Sequence, residues 1–302
     1  MDILTFSNAN SRDTYFTVHN VKAAHKHARG KGVKVGIIDW RFAVDDNQSL
    51  YADSVDITGF PPGLHEGKGH GLWMAITLRE IAPECEIIAI NGVPYEEGVS
   101  YEQLGERRSH HLIQAIEWAI ESRIDVLTYS QAKVPLSCRP LVGDAITKAV
   151  SDGVTTTFIH NDHQDNLWPY ACLPYSKDSG DNRDFTREPD VNIYHHDYNT
   201  IMVSRCEAYL EKIARGEHIR SGDDLPFFSM SSTSPVLGGF VAILKSIKPQ
   251  LTPAQCKELL VSTSYSITEK GQNWFDLNPC PRAVDIGKAV TTLLQSQCRL
   301  CP

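Results

Sequence analysis

The stretch VKVGIID, residues 33–39, is a nearly continuous run of β-branched apolar residues that ends on an aspartate. A strand covered on both faces needs such a run, with little alternation of polar and apolar positions. Similar runs return at CEIIAINGV (85–93), DVLTYS (125–130), VTTTFIHN (154–161) and TIMVS (200–204). Helical spacing lies between them. HLIQAIEWAIESR (111–123) puts Leu112, Ala115, Ile116, Ala119 and Ile120 on one face, and the pair His110–His111 reads as its start. PLVGDAITKAVSDG (140–153) predicts a helix closed by Gly153. PVLGGFVAILKSI (235–247) is apolar all round, the pattern of a buried helix. TPAQCKELLVSTS (252–264) predicts an amphipathic helix with Thr252 as N-cap and Pro253 at N1. Alternating strands and helices predict an α/β fold, with a mostly parallel central sheet flanked by helices.

The bulk properties agree with one α/β domain. The chain has 302 residues, 41% hydrophobic and 22% charged, with a formal net charge of −8. No basic stripe is present, so nucleic acid is not an expected partner. No stretch approaches the roughly 18 apolar residues of a membrane span. The polar N-terminus lacks a cationic start followed by an apolar core, so no secretory signal is read. The eight cysteines read as mostly free thiols of a reducing compartment, and the expected localisation is cytoplasmic. Cys298 and Cys301 form a Cys-x-x-Cys pair with no second pair at metal spacing, so no metal is expected. No cofactor motif is found. The pair His195–His196, with Asp197, reads as solvated, and Asp45, Asp46, Asp53, Glu96 and Glu97 read as loop markers. Residues 162–199 are polar and turn-rich and read as a long loop excursion, with 271–302 as a C-terminal extension.

Reactive groups in parallel α/β folds stand at the carboxyl ends of strands. There the chain places Asp39, and later His160–Asn161. A histidine, His70, lies between glycines in GKGHG (67–71). FSMSSTSPVLGG (228–239) crowds hydroxyls at the mouth of the apolar helix. Alone, each has an ordinary reading: Asp39 as a turn cap, His70 as a surface residue, Asn161 as a turn former, Ser231 as one of several helix-capping serines. Together they are the parts of an acyl-transfer site. A serine needs an imidazole as base and a carboxylate to orient that imidazole. The developing oxyanion needs preorganised donors.

At this point the chain resembles the subtilisin-like serine proteases. Asp…His…Ser is that family's order, and GKGVKVGIID (30–39), GKGHG, DVLTYSQA (125–132), GVTTTFIHN (153–161) and KPQLTPAQCKELLVSTS (248–264) are similar to its segments. The serine stretch runs Ser231-x-x-Ser234-Pro235-x-x-x-Gly239, where the family has Ser-x-x-Thr-Pro-x-x-x-Gly. The match covers roughly residues 18–270, with 162–199 poorly matched. It implies a three-layer subtilisin-like sandwich and a serine endopeptidase acting on a peptide or protein. Asp39 orients His70, Ser231 is the nucleophile and Asn161 supplies an oxyanion donor. Ser130, Gln131 and Ala132 pair with substrate as an added strand. Gly238 or Gly239 packs the helix closely on the sheet. About 20 residues precede the match, too few for the family's usual prodomain. That leaves two expectations: folding unaided inside a cell, or a module beside other domains or proteins.

The immediate supports depart from the family. Trp40 and Arg41 stand where the family has a small hydroxyl residue and Gly. Leu72, Trp73 and Met74 replace the run after the histidine, and Ser229–Met230 stand where Gly-Thr is usual. Ala132 replaces the substrate strand's Gly. Trp40 and Trp73 are expected either to crowd the cleft or to mark an eroded site. Two other readings follow: a ligase or macrocyclase using the same triad, and a non-catalytic peptide-binding module.

Overall fold

A computed structural model describes residues 19–67, 69–94, 99, 104–131, 134–159, 166–167, 169–174, 185–186, 201–204, 230–266 and 282–298. The elements run α1 (Val21–Ala24), β1 (Lys34–Asp39), β2 (Asp53–Asp56), α2 (Pro62–His65), α3 (His70–Ile81), β3 (Glu86–Asn91), α4 (Gly105–Glu121), β4 (Val126–Tyr129), α5 (Arg139–Ser151) and β5 (Thr155–Phe158). Then come β6 (Pro169–Pro174), β7 (Phe185–Thr186), β8 (Ile201–Ser204), α6 (Thr233–Ile247), α7 (Pro253–Thr263), β9 (Tyr265–Ser266), β10 (Arg282–Ala283) and α8 (Ile286–Cys298).

The central sheet has the order β2-β3-β1-β4-β5, with every pairing parallel. Successive residues of its inner strands feed opposite cores, as the period of two requires. Val35, Ile37, Ile87 and Ala89 join α1, α3, α6, α7 and α8 on one face. Ile38, Ile88, Ile90, Leu127 and Tyr129 join α4 and α5 on the other. The expected three layers with a parallel centre are therefore present.

The apolar segment 235–247 behaves as its composition demands. Every residue of α6 from Thr233 to Lys245 is buried. A Cβ on Gly238 would meet Thr128 Cγ2 at 2.6 Å, and one on Gly239 would meet Ile81 Cγ2 at 2.5 Å. The first glycine admits the sheet, the second admits α3. Lys245 is 3% exposed, and its Nζ donates to the Gly153 carbonyl at 3.0 Å. The Thr252 cap is present with a reciprocal bond from Gln255, and Pro253 opens α7.

Several expectations need correction. His110 and His111 lie in the second turn of α4, not at its start; the helix begins at Gly105 on a polar turn without a side-chain cap. Asp45 and Asp46 open a 3-10 turn, Asp45–Leu50, and Asp53 opens β2, a short polar edge strand. The excursion 162–199 carries β6 and β7, and β6 pairs in parallel with β8 in a second sheet, β7-β6-β8-β10-β9. The C-terminal segment contributes core: Ile286, Ala289, Val290 and Leu293 of α8 are buried against the α1 side. His195, His196, Asp197, Cys301, Glu96 and Glu97 lie outside the described residues. No helix among the described residues is long and apolar enough to cross a membrane.

Candidate active site

Asp39 is the last residue of β1 and is fully buried. Its Oδ1 accepts the Trp40 amide at 2.9 Å, and its Oδ2 lies 2.7 Å from His70 Nδ1. A ring nitrogen against a carboxylate oxygen carries the proton, which leaves Nε2 as the basic atom. Burial pulls the His70 pKa down, but the charge and hydrogen bond of Asp39 outweigh it, and the net shift is upward.

His70 is the first residue of α3. The amides of its first turn are held by the strand end: Gly71 N donates to Trp40 O at 2.8 Å and Leu72 N to Arg41 O at 3.3 Å. The glycines around His70 are there for room. A Cβ on Gly69 would lie 2.4 Å from Arg41 Cβ, and one on Gly71 would lie 2.8 Å from the Phe42 ring. Arg41 takes φ 56 and Ala43 φ 49, the left-handed region that costs an L-residue roughly 1–2 kcal/mol. Arg41 therefore holds the conformation that suits the Gly implied at that place by the family resemblance. Its guanidinium lies 4.8 Å from the Trp40 ring centroid.

Ser231 sits in the 3-10 turn Met230–Ser232, which leads into α6 and is in contact with α3. The hydroxyl residues around it divide the work. Ser232, Thr233 and Ser234 are buried, whereas Ser231 is partly exposed. Ser234 Oγ donates to Thr157 O at 2.5 Å while Thr157 Oγ1 donates to Ser234 O at 3.1 Å, which ties α6 to β5. Ser130 Oγ donates to the Ser231 carbonyl at 2.8 Å. Thus Ser130, expected to face substrate, also braces the turn that carries Ser231. Gln131 follows it on the same edge. Asn161, Ala132 and Ser229 lie outside the described residues.

Of the altered neighbours, Leu72 and Met74 are core residues and Trp73 packs against the same core. Trp40 instead lines a cavity of about 350 Å³ with Arg41, Phe60, Glu66, Asn91 and Val93. Two residues were missed in the sequence. Tyr51 donates its hydroxyl to Phe42 O at 2.9 Å, and burial together with the Asp39 charge raises its pKa. Asn91, in register with Asp39 across β1 and β3, is 1% exposed. Neither sits in a motif; only the strand-end position of Asn91 was a signal. No group of three or more His, Cys, Asp or Glu that could hold a metal occurs among the described residues.

No family model matches the chain. The minor extracellular protease Epr of Bacillus subtilis (strain 168) is 26% identical over 134 residues, 41% of this chain and 19% of that protein. The chain thus corresponds to about a fifth of that relative's length. A crystal structure of MycP1 from the ESX-1 type VII secretion system superposes with a TM-score of 0.63 and 15% identity, covering 94% of this chain and 87% of the other. A cold-adapted subtilisin-like serine proteinase superposes with a TM-score of 0.56 and 11% identity, covering 85% and 89%. The fold is subtilisin-like, and the resemblance read from the sequence is borne out at that level.

Proposed function

We propose that this subtilisin-like chain is a serine endopeptidase in which Asp39, His70 and Ser231 act as a triad on a peptide or protein substrate. The observation that carries the reading is the 2.7 Å contact of His70 Nδ1 with buried Asp39, at the carboxyl edge of the sheet. The partly exposed Ser231 on a turn packed beside the helix of His70 supports it. Ser231 Oγ attacks the scissile carbonyl and His70 Nε2 takes its proton, then gives it to the leaving amine as the C–N bond breaks; a water deprotonated by the same nitrogen then hydrolyses the acyl-enzyme and returns the proton to Ser231. Asp39 keeps the ring in the tautomer this needs and stabilises the imidazolium. The Ser231 amide and the Asn161 side chain hold the oxyanion, so Asn161→Ala should lower kcat by about 10²–10³. A cytoplasmic setting belongs to the same proposal. Cys85, Cys138 and Cys256 are free, buried thiols, as in a protein of a reducing compartment.

A fluorophosphonate serine probe tests the reading. The wild-type protein should be labelled and Ser231→Ala should not. A folded wild-type protein that takes no label removes the protease reading and favours a peptide-binding module.

A further inference from the structure

We infer that Asn91 is a positioning residue, whose buried carboxamide fixes the turn that presents His70 to Asp39; the inference rests on the triad reading above. Asn91 ends β3 between two strand ends, in register with Asp56 of β2 on one side and Asp39 of β1 on the other. Its Nδ2 faces three acceptors: Asp56 Oδ1 at 2.8 Å, Thr58 Oγ1 at 3.0 Å and Phe60 O at 3.0 Å. Its backbone carbonyl accepts from Ile57 N at 2.9 Å. Residues 56–60 are thereby wrapped around one amide.

The linkage continues through backbone hydrogen bonds to the helix turn that carries His70. Gly63 N donates to Phe60 O at 2.9 Å, and Gly63 lies directly on the carboxamide, where a Cβ would come within 2.5 Å of Nδ2. Gly63 O accepts Arg41 N at 2.6 Å and Phe42 N at 3.3 Å. Trp40 O and Arg41 O then hold the first-turn amides of α3, which His70 opens. The segment in the middle includes Arg41 and Ala43, two left-handed non-glycine residues. Strained backbone of this kind persists only where its surroundings over-determine it.

The carboxamide is held in one orientation. Its orientation is dictated by three acceptors, one of them a carboxylate, so Oδ1 is left buried without a partner among the described residues. An apolar residue of the same size would take a donor away from all three acceptors. What Asn91 supplies is a fixed distance between the β2–α2 turn and the strand end beside Asp39.

The test uses the full chain, with Asn91→Asp and Thr58→Val as variants. Asn91→Asp keeps the shape but sets a carboxylate against Asp56; Thr58→Val removes one partner at a milder site. The readout is the downfield proton resonance of His70 Nδ1, assigned by its loss in Asp39→Asn, together with kcat and KM on a peptide. We expect folded Asn91→Asp to shift or broaden that resonance and lose about 10- to 100-fold in kcat with KM nearly unchanged. A wild-type resonance and kcat in folded Asn91→Asp overturn the inference. If Asn91→Asp does not fold, Thr58→Val decides, with a smaller shift of the same resonance expected and an unmoved resonance overturning it. The resonance reads the Asp39–His70 pair even if the protein cleaves no peptide, so failure of the protease reading is seen separately, by the serine probe.

Discussion

The Nδ1 atom of His70 stands 2.7 Å from Oδ2 of Asp39, and the carboxylate is fully buried. The pair joins residues 31 positions apart and holds the ring in one tautomer. Replacing Asp39 with Asn keeps the shape but removes the charge and inverts the preferred proton position. Under the proposed mechanism kcat should fall by about 10⁴. A variant within tenfold of wild type would exclude the proposed role of Asp39.

The same pair sets a pH dependence. Under the proposed mechanism only neutral His70 accepts the serine proton, and its pKa is raised above the ordinary 6.5. Activity should therefore fall as the medium is acidified, with the midpoint of that limb above 6.5. A kcat/KM profile flat down to pH 6 contradicts this.

Ser130 reaches across from the end of β4 to the carbonyl of Ser231, 101 positions away. Losing that bond frees the turn that carries Ser231 at a cost of about 1 kcal/mol. Ser130→Ala should slow probe labelling by up to about fivefold. Labelling at the wild-type rate would show that the turn is held by other contacts.

His19 is fully buried, with Nδ1 2.7 Å from Val284 O and its ring against Phe240. Burial lowers its pKa to about 4, partly opposed by the backbone bond. The unfolded chain, with a histidine pKa near 6.5, binds this proton more readily than the fold does. Stability is therefore lost as pH falls below about 6.5 and levels off near 4, by an amount on the order of 3 kcal/mol. His70, raised rather than lowered, contributes with the opposite sign: its stabilisation is present below 6.5 and lost as pH rises. Denaturant melts at pH 7 and 5 should show a smaller difference for His19→Asn than for wild type. Equal differences would show that His19 does not titrate with unfolding.

Gly238 lies where a methyl group would meet Thr128 Cγ2 at 2.6 Å. Gly238→Ala should destabilise by roughly 1–3 kcal/mol through overpacking of α6 on β4. A thermal melt at or above the wild-type value would show that the interface has room.

The legible parts of the fold were those whose burial is written into local composition. β1, β3 and β4 are largely apolar because both faces are covered, β5 is a run of β-branched threonines ending on Phe158, and α6 is apolar all round because it is sealed in the core. Asp53–Asp56 was missed because a polar edge strand has no apolar signature, and it owes its pairing to the Ile88–Asn91 stretch beside it. The polar first turn of α4, capped by no side chain, hid the true start of that helix.

The order and residue types of Asp39, His70 and Ser231 were set by the chain alone, since residue type and position along the chain are local properties. Which serine is exposed, what clasps its turn and how Asn91 braces the histidine were decided only on folding. Those relations join residues from separate elements, and a hydrogen bond depends on distance in space, which no periodicity along the chain encodes.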